Sequence, residues 1–260
     1  MAQISATIKS ASLGFHTHIQ VIIPQQRETP HAPVEKILYL LHGLSDDSTA
    51  WGRRTRIYEY AEKNNYMVVM PEVQRSFYSD MTHGSQYYTY VTRELPDICE
   101  KLFNIKHIRE KTFVAGLSMG GYGAAKCGLG RPDFYAACAS FSGAMDMKTR
   151  IADLKDVTPH PLPETKAILG ENLVYPDNAD LFFLASEAVK LAVRPRMLIT
   201  CGDVDFLLDD NRRFDEHLKT LNYGHTYMEW PGDHTWAFWE ECLPLAFEFF
   251  ENKLNKDTVS

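Results

Sequence analysis

Residues 112–129 read Thr-Phe-Val-Ala-Gly-Leu-Ser-Met-Gly-Gly-Tyr-Gly-Ala-Ala-Lys-Cys-Gly-Leu. The apolar run Thr112 to Ala115 has the character of a buried strand, and the small-residue stretch Tyr122 to Leu129 that of a helix packed closely against its surroundings. Between them lies Gly116-Leu117-Ser118-Met119-Gly120, a G-x-S-x-G pattern. A serine set between strand and helix in this way must turn sharply, with a positive φ expected at Ser118, and a Cβ at Gly116 or Gly120 would collide with neighbouring backbone. The turn presents the hydroxyl at a helix N-terminus, where unpaired N–H groups and the helix dipole favour negative charge. That is the geometry of a nucleophile elbow.

Working outward, the same exchange of apolar runs and helical stretches repeats. The first 24 residues alternate with a period of two (Ile4, Ala6, Ile8, then Phe15, Thr17, Ile19, Val21, Ile23), which predicts an antiparallel opening pair. Nearly continuous apolar runs follow at Lys36 to Leu41, Tyr66 to Met70, Lys111 to Ala115, Ala136 to Phe141, Met197 to Cys201 and His225 to Trp230, as strands covered on both faces require. Helical spacing is present at Arg53 to Asn64, at Val91, Leu95, Ile98 and Leu102 (with Pro96 as a kink or restart), at Asp210 to Leu221, and from Trp236 to about Leu254 with a break expected at Pro244. The expected fold is α/β, an α/β-hydrolase fold with a mostly parallel central sheet, helices on both faces and an antiparallel N-terminal edge, in a single domain over 1–260. One stretch departs from the rhythm. Residues 147–187 hold Pro159, Pro161, Pro163 and Pro176, and read as an excursion over the sheet edge, a partial lid.

Composition agrees with a soluble globular protein: 260 residues, 45% apolar and 12% aromatic. With 27 basic and 34 acidic residues the net charge is −7, which argues against nucleic acid or an anionic membrane as partner. No run of ~18 apolar residues is present to span a bilayer. Residues 1–12 show no basic patch followed by an apolar block, so no signal peptide is expected. Five scattered cysteines (Cys99, Cys127, Cys138, Cys201, Cys242) without a C-x-x-C pair read as buried thiols in the cytoplasm, and no metal or cofactor is expected.

A serine hydroxyl needs a base within reach. Of ten histidines, His234 stands apart in Trp230-Pro231-Gly232-Asp233-His234-Thr235-Trp236, directly after the last strand and before the last helix. The base needs an acid to fix its tautomer. Gly202-Asp203-Val204-Asp205 offers two: Asp205, placed past the tight turn, is preferred, and Asp203 is the alternative, while Asp209 and Asp210 read as N-caps of the following helix. The order Ser118, Asp205, His234 is that of α/β-hydrolases. Oxyanion donors are expected from the N–H of Met119 and, in His42-Gly43-Leu44, from the N–H of Leu44, with His42 in a structural part beside that loop.

Leu41-His42-Gly43-Leu44, Gly116 to Gly121, Gly202 to Leu207 and Trp230 to Trp236 together resemble the esterase D / S-formylglutathione hydrolase family. Arg75-Ser76-Phe77-Tyr78-Ser79-Asp80-Met81 and Tyr87-Tyr88-Thr89-Tyr90 look like its tributyrin-esterase subgroup of streptococci and lactic acid bacteria. The resemblance covers nearly the whole chain and implies a metal-independent carboxylesterase on small-molecule esters with short acyl groups, often a homo-oligomer. The alternatives are S-formylglutathione hydrolysis, acyl transfer on the same triad, and an inert binding protein of the same fold. Aromatic residues expected at the rim, Trp51, Phe77, Tyr78, Tyr87, Phe206 and Trp236, suggest a closed apolar pocket for acyl groups of about two to six carbons.

Overall fold

The computed structural model describes residues 1–25, 34–157 and 163–254. Eight strands form one sheet: β1 (Ala2–Lys9), β2 (His16–Ile23), β3 (Lys36–Leu41), β4 (Tyr66–Pro71), β5 (Thr112–Leu117), β6 (Ala137–Phe141), β7 (Arg196–Gly202) and β8 (Thr226–Trp230). Their order across the sheet is β1-β2-β4-β3-β5-β6-β7-β8. β1 pairs antiparallel with β2, and β2 antiparallel with β4. Every pairing from β4 onward is parallel.

The helices are α1 (Ala50–Arg54), α2 (Ile57–Asn64), α3 (Tyr87–Thr89), α4 (Leu95–Phe103), α5 (Met119–Gly130), α6 (Met147–Val157), α7 (Pro163–Leu169), α8 (Leu181–Ala188), α9 (Leu208–Thr220) and α10 (Trp236–Phe250). The continuous apolar runs of the strands divide by alternation between two cores. In β3, Ile37, Tyr39 and Leu41 face a core shared with Tyr122 of α5, Leu181 of α8 and Phe214 of α9. Leu38 and Leu40 face another, shared with Ile57 of α2 and Leu243 and Phe247 of α10. A strand buried on both sides can thus read as one apolar block while still obeying the period of two.

Four expectations change. The stretch Arg53 to Asn64 is two helices, because Thr55 turns extended and its N–H and hydroxyl both donate to the Trp51 carbonyl. Pro96 does restart a helix: Tyr90–Glu94 forms a wide turn, α4 begins at Leu95, and the carbonyl of Thr92, which Pro96 cannot serve, accepts from Arg131 Nη1 at 2.6 Å. That turn re-aims the buried face, so Leu102 is exposed and Cys99 is buried in its place. Pro244 does not break α10, since Cys242, Leu243, Ala246 and Phe247 around it are buried in the core and hold the helix on course. The excursion 147–187 holds α6, α7 and the start of α8 rather than irregular chain. Its Pro159 and Pro161 lie outside the described residues.

Candidate active site

Ser118 occupies the turn from β5 into α5 with φ +53° and ψ −117°, a strained conformation of order 1–3 kcal/mol that the surroundings enforce. Its N–H donates to Phe141 O at 2.9 Å, and its carbonyl accepts from Tyr122 N at 3.1 Å. A Cβ at Gly116 would land on the carbonyl of Gly120, and one at Gly120 on the carbonyl of Leu41. The glycines are therefore required by close approach of three backbone segments.

β8 ends in the turn that carries His234. Its Nε2 lies 3.0 Å from Ser118 Oγ, and its Nδ1 lies 2.9 and 3.1 Å from the two oxygens of Asp205. A carboxylate accepts only, so Nδ1 carries the proton and Nε2 accepts from the serine hydroxyl. The imidazole is held between the ring of Phe206, with centroids 4.5 Å apart, and that of Trp239, perpendicular at 4.9 Å. Asp205 is buried and also accepts from Leu207 N at 2.8 Å. Burial alone would raise its pKa; the hydrogen bonds from His234 and from the Leu207 N–H outweigh that and hold the carboxyl below its ordinary range.

Asp203, the alternative acid, is engaged elsewhere. Its Oδ1 accepts from Gly232 N at 3.1 Å and braces the turn before His234. Asp209 and Asp210 are not N-caps. The bond from Leu207 N–H to Asp205 lets α9 begin at Leu208, which puts both in its first turn, and Asp210 pairs with Arg150 and Arg213.

The loop after β3 approaches the elbow from the other side. His42 is buried; Nδ1–H donates to Gly43 O at 2.8 Å and Nε2 accepts from Val73 N at 3.2 Å. Because the Gly43 carbonyl and the Leu44 N–H share one trans peptide plane, this bond turns the Leu44 N–H away from the imidazole. The Met119 N–H is the first amide of α5, where no intrahelical acceptor exists for it.

The aromatic residues divide. Phe206 is 66% exposed at the mouth, Trp236 is half-buried, and Phe77 packs on Tyr122 with centroids 6.1 Å apart. Trp51 and Tyr78 are fully buried, with Trp51 Nε1 donating to Leu41 O at 3.0 Å and the Tyr78 hydroxyl to His42 O at 2.9 Å. Both are corrections to a rim placement: their polar tips are spent on strand-end carbonyls, so they support the loops from beneath. Tyr87 is also buried, beside Arg75 and Glu164. Trp239 escaped sequence reasoning, although its place one turn after Trp236 on α10 was a signal for it.

A small apolar chamber of about 20 Å³ is lined by Phe77, Tyr122, Met147, Ile151, Leu169 and Tyr175, of which Tyr122 stands one turn along α5 from Ser118. Among the described residues there is no cluster of three or more His, Cys, Asp or Glu side chains able to hold a metal ion, and no helix is long and apolar enough to cross a membrane.

Comparison with known proteins agrees with this architecture. The Esterase family model matches residues 10–250. An acetyl esterase of Caldicellulosiruptor saccharolyticus is 31% identical over 219 residues, 82% of each chain. Among solved structures, the fluorophosphonate-binding serine hydrolase FphF of Staphylococcus aureus superposes with a TM-score of 0.84 at 32% identity, covering 96% of this chain and 98% of that one. S-formylglutathione hydrolase FrmB of the same organism superposes at 0.82 with 32% identity and the same coverage. A ferulic acid esterase at 22% identity, with a TM-score of 0.80, shares the fold. The chain belongs to the Esterase family, as a carboxylic ester hydrolase of the α/β-hydrolase fold.

Proposed function

We propose that the protein is a serine carboxylesterase that hydrolyses short-chain acyl esters through an acyl-enzyme. The observation that carries this reading is the unbroken contact chain Ser118 Oγ, His234 Nε2, His234 Nδ1, Asp205, with distances of 3.0 and 2.9 Å. Ser118 attacks the ester carbonyl as His234 takes its proton; Asp205, ionised by its surroundings, stabilises the imidazolium that forms. The N–H groups of Leu44 and Met119 receive the oxyanion, each worth roughly 3–4 kcal/mol of barrier. His234 then returns the proton to the leaving alcohol and activates water for deacylation.

The acyl side of the site in this reading lies toward the apolar chamber beside Tyr122, and its ring of apolar side chains supports short acyl groups of about two to six carbons, tributyrin-like substrates included. The five cysteines are all free and buried, which supports a place in the cytoplasm. Assembly into a homo-oligomer, implied by the family resemblance, belongs to the same proposal.

A second reading, thioester hydrolysis of S-formylglutathione, is favoured by the likeness to FrmB. The test is kcat/KM on a p-nitrophenyl ester series and on S-formylglutathione, with Ser118→Ala as control. A maximum at acetate to butyrate, lost by about 10⁶-fold in the variant, is expected. A steady rise to dodecanoate overturns the short-chain assignment, and full activity in the variant overturns the nucleophile.

A further inference from the structure

The loop between β3 and α1 carries a carboxylate that the proposed chemistry does not use. A Cβ built on Gly43 would lie 2.8 Å from Asp46 Oδ2 and 3.7 Å from Ser118 Cβ. The Asp46 carboxylate and the Ser118 Cβ therefore both lie against Gly43, beside the Leu117 side chain, whose Cδ1 would be 2.6 Å from the Cβ built on Gly43. Asp46 is half-buried, and no Lys or Arg lies within ion-pair distance of it among the described residues. The neighbouring Asp47 differs, because Arg53 is 3.3 Å from it.

The opposite wall repeats the sign. Asp203 and Asp233 are exposed on the turns that bear the acid and the base, each engaged, among the described residues, by a backbone N–H alone. Arg150, which reaches that wall through Phe206, is committed: it pairs with Asp210, donates to Phe206 O at 3.0 Å, and Asp210 is itself shared with Arg213. A substrate entering this cleft meets negative charge on both sides, with Asp46 on the loop that packs against Ser118 through Gly43.

We propose that Asp46 sets the charge selectivity of the site, admitting esters whose leaving alcohol is neutral or cationic and rejecting those whose leaving group is anionic. The proposal rests on the esterase reading and deepens it. An anionic leaving group is repelled both on binding and in the transition state, so the loss falls on kcat/KM relative to the neutral ester. Across a partly wet cleft at ~7–8 Å, one unit charge against another changes that ratio by about tenfold. Glutathione thioesters carry net negative charge at neutral pH, and the proposal makes them poor substrates.

The test measures kcat/KM at low salt for three acetates with one acyl group and different leaving groups: methyl para-acetoxybenzoate (neutral), para-acetoxybenzoate (anionic) and para-trimethylammoniophenyl acetate (cationic). In the wild type the anionic ester is expected to be the poorest. In Asp46→Asn and Asp46→Ser the neutral-over-anionic ratio should fall about tenfold, while Asp46→Glu keeps it and high salt shrinks it in the wild type. An unchanged ratio in both neutral variants, with the neutral ester still hydrolysed, overturns the role of Asp46 alone. A wild type inert to all three acetates overturns the esterase reading, and this proposal with it.

Discussion

The two walls of the proposed cleft are built by different means. The wall with Ser118, Asp205 and His234 consists of tight turns at the ends of β5, β7 and β8, each only a few residues from a strand and each fastened to its neighbours by backbone hydrogen bonds. The wall with Phe77, Tyr122, Met147 and Ile151 is assembled from the long loop after β4 and from the helices of the excursion. In it, Phe77 and Tyr78 are consecutive left-handed residues, both with φ +48°, held by Ser79 Oγ donating to Phe77 O at 3.0 Å and by Lys126 Nζ donating to Ser79 Oγ at 2.8 Å. The contrast teaches that a reaction can be fixed by short turns on a rigid sheet while its range of substrates is left to long connections.

The comparison breaks most clearly at the first wall. Asp205→Asn keeps the shape of the turn but can donate to Nδ1, forcing the wrong tautomer; kcat should drop by about 10⁴-fold with the acyl-length preference unchanged. An altered chain-length profile in that variant would show that the walls are not separable. At the second wall, Phe77→Ala should enlarge the chamber and raise kcat/KM for hexanoate and longer esters relative to acetate by roughly tenfold, at little loss for acetate, as read on the same ester series.

The smallest effect concerns Lys126, only 3% exposed and facing the rings of Tyr88 and Tyr122, whose burial pushes its pKa down to about 8. In the unfolded chain this amine titrates near 10.4, so between about 8 and 10.4 the unfolded state binds the extra proton and stability gains as pH rises. Lys126→Met removes the buried charge. It also removes the bond to Ser79 Oγ, which acts at every pH, so the charge is read in the pH dependence: the stability of the variant relative to the wild type should fall as pH rises through about 8, and urea melts at pH 7 and 9.5 decide it.

The first wall was largely legible in the sequence and the second was not, for a physical reason. A nucleophile elbow, a G-x-x-D turn and a P-G-D-H turn are local: glycine and proline mark the turn, and the adjoining apolar run says at which end of a strand it sits. The six aromatic residues carried no such marks. Trp51 and Tyr78 differ from Phe206 in burial only because strand-end carbonyls happen to lie beside them. The helices of 147–187 were hidden by prolines at their boundaries, and the wide turn before Pro96 rotated a face that ideal periodicity had placed one turn away.

The three groups of the contact chain hang from strands that are not all neighbours, since β6 runs between β5 and β7. A fragment that lacks β6 cannot assemble them. Turnover of a coloured ester therefore reports whether β5 to β8 have paired in order, which makes the enzyme a gauge of its own refolding: regained catalysis should lag regained helix signal.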